Sequence, residues 1–75
     1  MDEFHEREQE NLAQADRHIA EAKAHIARQK QVIAELERDR HRTSEAVSML
    51  HALEHSLHAF EQHREVVLGW LKMPE

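Results

Sequence analysis

Three histidines in the second half of the chain, His51, His55 and His58, stand at i, i+4 and i+7. At about 100° per residue a helix places them on one stripe. Zinc or another borderline cation accepts imidazoles at that spacing, and Glu54 or Gln62 is near enough to add an oxygen. A closed zinc site needs four ligands and a buried outer shell, whereas this stripe points away from Leu50, Leu53, Leu57 and Phe60. The trio is therefore read as a solvated polar face and kept only as a weak metal candidate; no metal or other cofactor is expected. His18 and His25, seven apart, flank Ile19 and Ile26, where a helix meets the side chains of a packed neighbour. Free imidazole titrates near about 6.5, and full protonation of all eight histidines carries the formal net charge from -5 to +3.

Other chemistry has little to stand on. Three serines, one threonine, no cysteine and a single glycine leave no nucleophile elbow, phosphate cradle or HExxH zinc motif. Imidazoles and carboxylates are abundant, but abundance on solvated faces does not by itself shift a pKa, and general acid-base work requires a shifted one. The chain is read as a non-enzyme. Its acidic balance, ten Lys and Arg against fifteen Asp and Glu, opposes sequence-independent attraction to nucleic-acid phosphates.

The elements that carry these residues follow from the apolar spacing. Leu12, Ile19, Ile26 and Ile33 form one seven-residue column, and Ala15, Ala22, Gln29 and Leu36 form a second three residues later, the signature of a helical seam. Gln29 interrupts that seam with a polar group, and the small Ala15 and Ala22 invite close approach. A new pair of columns, displaced in phase, follows Ser44: Leu50, Leu57, Arg64 and Leu71, with Leu53, Phe60 and Val67. Between them Asp39, Arg40, His41 and Arg42 offer nothing apolar, while Thr43 or Ser44 suits an N-cap and Glu45 the first turn of a helix. The expectation is an all-α antiparallel helical hairpin spanning 1–75 as one domain. Its helices run over about residues 4–38 and 44–72, joined by a turn over 39–43. With no glycine there, Arg40 or His41 has to close the first helix. One continuous kinked helix is the alternative.

Folding about that turn with paired numbers summing to about 83 sets His18 opposite Glu65, His25 opposite His58 and Ile19 opposite Arg64; the arginine is read as a long stem reaching solvent with Glu61 one turn earlier as its partner, the alternative being a polar seam residue that fixes register. Ala13, Ala20, Ala27 and Ala34 form a further seven-residue column away from the isoleucines, either plain helix surface or a second contact face. The run Val66, Val67, Leu68, Trp70, Leu71 and Met73 is apolar around most of the helix and calls for a cover.

A chain of 75 residues buries only about 60% of its unfolded surface, so its lone core is marginal, and with no cysteine no disulfide compensates. A hairpin also covers only one side of each seam. Pairing two hairpins into a four-helix bundle closes the rest. The expected role is a small self-associating interaction or scaffold module, a homo-oligomer with the dimer favoured. Its seam comprises Leu12, Ala15, Ile19, Ala22, Ile26, Ile33, Leu36, Leu50, Leu53, Leu57, Phe60, Val67, Trp70 and Leu71. Two alternatives stand beside it: a regulator that docks the same helices onto a different protein, and a metal-responsive His-rich protein. The acidic stretch from Met1 to Glu10 has no apolar run, so neither a signal peptide nor a membrane span is expected, and the location is read as cytoplasmic.

The stretch from Ala15 to Leu68 resembles a group of short, uncharacterised bacterial proteins common among α-proteobacteria. The pieces that carry the resemblance are RHIAEA at Arg17 to Ala22, RQ at Arg28, ELERD at Glu35 to Asp39, His41 with Thr43, and HRE at His63 to Glu65. In that group Gly commonly precedes the histidine of the central turn, where this chain has Arg40. The resemblance implies an α-helical hairpin and carries no activity.

Overall fold

Thirty-six residues without glycine or proline, dense in Ala, Glu, Gln, Lys and Arg, combine high helix propensity with a seven-residue apolar repeat. They form α1, Glu3–Arg38. Glu3 and Glu6 in its first turn and Arg38 in its last complement the helix dipole. The second helix, α2, covers Ser44–Leu71. Pro74, which cannot continue a helix, stands just beyond the end of α2. The computed structural model describes residues 3–74; Met1, Asp2 and Glu75, which the expected 1–75 domain includes, lie outside the described residues.

The chain reverses through an αL cap built without glycine. Arg40 takes φ 60, its N–H donates to the Glu37 carbonyl at 3.1 Å, and the His41 N–H reaches back to the Leu36 carbonyl at 2.9 Å. These two bonds define the Schellman motif, which satisfies carbonyls that the helix end leaves orphaned. An L-residue pays about 1–2 kcal/mol for the left-handed conformation, so the local bonds and the packing of the two helices hold Arg40 there. Thr43 occupies the N-cap position of α2, but with φ -112 and ψ -5 its hydroxyl makes no capping bond. The helical ψ turns the side chain away from the first free N–H groups, which a β-region cap would face. The backbone alone starts this helix, with the Val47 N–H donating to the Thr43 carbonyl at 2.8 Å.

The two helices lie side by side as an antiparallel hairpin whose Cα atoms span 59 × 14 × 12 Å. Among the described residues only Ala15, Ala22, Ile26 and Val67 are buried. The other seam residues Leu12, Ile19, Ile33, Leu36, Leu50, Leu53, Leu57, Phe60 and Leu71 are half-buried, and Trp70 is exposed. A compact monomer of 8.9 kDa exposes about 4,800 Å², whereas this chain exposes 6029 Å². The rod shape thus leaves much of the apolar seam in contact with water.

Candidate interaction surface

Three contacts fix how the helices face each other. Gln29, the polar break in the first seam, donates from Nε2 to the Ala46 carbonyl at 2.9 Å, which satisfies its amide inside the contact and makes it a positional anchor. The His18 ring lies against Phe60, centroids 5.2 Å apart. Arg64 donates from Nε to Asp16 Oδ1 at 2.6 Å, and this hydrogen bond, with the carboxylate's charge, holds the guanidinium above its ordinary pKa. The aspartate, not Glu61, is therefore the partner of Arg64. His18 meets Phe60 instead of Glu65, and every one of these pairs sums to less than the expected value near 83. Turn residues counted about a midpoint do not define register; the αL reversal at Arg40 and the side chains that interlock above it do.

The seam divides the hairpin into two broad faces. Along one groove lie Asp16, Ile19 and Lys23 of α1 with Glu61, Arg64 and Glu65 of α2. This face is polar, and charges meet across it. The groove on the other side is lined by His18, Glu21, Ala22 and His25 of α1 with Leu53, Ser56 and Phe60 of α2, so it holds one carboxylate where the first groove holds several charges of both signs. Here imidazoles, a phenyl ring and small side chains predominate. His25 consequently lies beside Leu53 and Ser56, separated by the helix body from its expected partner His58.

On the flank of α2 next to the second groove, Met49, Ser56, His63 and Trp70 recur every seven residues, and Ala52, Ala59 and Val66 form a parallel column three residues on. At 100° per residue the two columns stand about 60° apart and make one stripe. All seven residues are exposed, including Val66 at 56% and Met49 at 53%. Just past the helix, Met73 is 50% exposed. The Phe4 ring meets Trp70 edge-on at 5.9 Å, so the far end of α1 backs the indole of the C-terminal apolar run. Within that run Val67 is buried, while Leu68 and Leu71 are half-buried.

This second seam is written in the sequence, but Ala, Ser and His at its centre make it faint beside the leucine column next to it. The remaining positions singled out from sequence stay in water. His51, His55 and His58 are exposed on the side of α2 turned away from α1, and among the described residues no group of three or more His, Cys, Asp or Glu is arranged to hold a metal ion. Ala13, Ala20, Ala27 and Ala34 are exposed as well. Among the described residues, no helix is long and apolar enough to cross a membrane.

Comparisons with protein-family models, with curated proteins and with solved structures find no match to this chain.

Proposed function

We propose that the protein is a small self-associating helical module that acts by contact, as an interaction or scaffold element, and not by catalysis. The observation that carries this reading is the mismatch between seam and burial. Two helices of 36 and 28 residues bring only four described side chains out of water, so the apolar repeat is far larger than one hairpin can use. A second hairpin laid against the first closes the seam in the manner of a four-helix bundle. The chain has no cysteine, which suits a reducing compartment, and we place the module in the cytoplasm, without nucleic-acid or membrane partners.

Light scattering coupled to size exclusion tests the reading, with circular dichroism followed over the same dilution series. The expected mass is twice the 8.9 kDa of one chain, with helicity and mass falling together on dilution. A chain that stays fully helical at monomer mass up to about 100 μM, well above the weak-dimer range, overturns it.

A further inference from the structure

The exposed stripe on α2 has a property that singles out its occupant. None of its seven positions from Met49 to Trp70 carries a carboxylate, lysine or arginine, although one third of the chain is charged; the nearest carboxylates, Glu45 beside Met49 and Ala52 and Glu21 in the adjoining groove, stand at its margin, where water can still reach a charge. Its side chains are also graded in size. Past Met49 at the turn end, Ala52, Ser56 and Ala59 are small, whereas His63, Val66 and Trp70 in the half nearer the C-terminus are larger.

A parallel copy would set Trp70 against Trp70 and Ala52 against Ala52, crowding the C-terminal end and leaving a gap along the small residues from Ala52 to Ala59, both unfavourable in a packed seam. An antiparallel copy related by a twofold axis level with Glu61 sets Trp70 over Ala52, Val66 over Ser56 and His63 beside Ala59. The same axis brings Met73 opposite Met49. One operator thus produces every large-on-small match, as an isologous interface requires. The area agrees: the hairpin exposes 6029 Å², about 1,200 Å² more than a compact monomer of its mass, and a stable interface covers about 800 Å² per partner.

We infer that the second copy docks on this face, α2 against α2 in antiparallel sense, with the groove of His18, Ala22 and Phe60 alongside and the Asp16–Arg64 face turned outward. The inference rests on the self-association proposed above and adds to it the surface and the chain direction.

The chain has no native cysteine, so single thiols report pairing cleanly. Ser56→Cys and Val66→Cys chains, mixed in equal amounts and oxidised, are expected to give the mixed disulfide dimer in large excess over either homodimer. Ala59→Glu is expected to weaken self-association about 100-fold, as an unpaired charge at a buried contact does, while keeping the helicity of a folded hairpin. Ala27→Glu, on the outer side of α1, is expected to change it by less than about threefold.

Preferential Ser56→Cys homodimers would show parallel pairing and overturn the assignment. A dimer that tolerates Ala59→Glu but not Ala27→Glu would leave self-association standing and overturn the face. If a different polypeptide co-purifies in stoichiometric amount, blocks the mixed disulfide and is released by Ala59→Glu, the face is right but the occupant is not a second copy. A monomer under all conditions would bring down the self-association reading itself, an outcome separate from the other three.

Discussion

The two broad faces of the hairpin are built from the same two helices and differ in what they ask of their surroundings. On one, Arg64 reaches across to Asp16 at 2.6 Å, and Lys23, Glu61 and Glu65 stand around the pair; its polar groups are content in water. On the other, Trp70, Val66 and Met49 remain between 44% and 56% exposed next to a groove lined by Phe60 and Leu53. A single amphipathic helix has one apolar stripe. Here α2 has two, one packed against α1 and one left in water, so the hairpin as a whole is amphipathic in the way each of its helices is.

The sharpest way to abolish the difference is to break the seam that separates the faces. Val67 is 2% exposed, and Val67→Asp strands a charge there at a cost of about 3 kcal/mol or more. Urea titration followed by circular dichroism should show the helical baseline lost, because a chain this small has little stability in reserve.

A smaller effect separates the two alanine columns of α1. Ala22 is 5% exposed and lines the groove with Phe60, so Ala22→Leu overpacks it and should lower stability by about 1–3 kcal/mol. Ala20 is exposed, and Ala20→Leu should stay within about 0.5 kcal/mol. Equal costs in thermal melts would mean that the inner and outer columns are not distinguished by packing.

The reversal that creates both faces can be strengthened without touching either. Arg40 holds φ 60, a conformation glycine adopts without strain, and Arg40→Gly should raise stability by about 0.5–1 kcal/mol. A loss of stability would mean that the arginine side chain, not the backbone, holds the turn. The smallest effect belongs to the polar face. Asp16→Ala removes the carboxylate facing Arg64, but the pair is solvent-screened, so the melting temperature should barely move and should respond to salt as the parent chain does.

Much of the architecture is legible in the residue spacing. The helix bounds expected at about 4–38 and 44–72 fall within one residue of Glu3–Arg38 and Ser44–Leu71. The phase slip after Ser44 and the polar run Asp39 to Arg42 leave the turn nowhere else to form. Arg40 was one of two residues able to close α1. The contacts across the hairpin are less legible: Arg64 pairs with Asp16 and not Glu61, His18 meets Phe60 and not Glu65, and Thr43, at the expected N-cap position, makes no side-chain capping bond. Each of those depends on an axial offset, a rotation or a ψ angle that no residue spacing encodes. The α2 stripe through Met49, Ser56, His63 and Trp70 is faint in the sequence because its central residues carry little hydrophobic signal.

The amino-acid order alone therefore determined the two helices, the place of their reversal and which side chains share a column, since periodicity is a property of each helix by itself. Only the packed hairpin decided which columns of α1 and α2 share a broad face, that Arg64 meets Asp16 and Gln29 the Ala46 carbonyl, and which apolar stripe is left uncovered. Those outcomes follow from the rotation and offset between two cylinders, quantities fixed by interlocking side chains and by the backbone at Arg40.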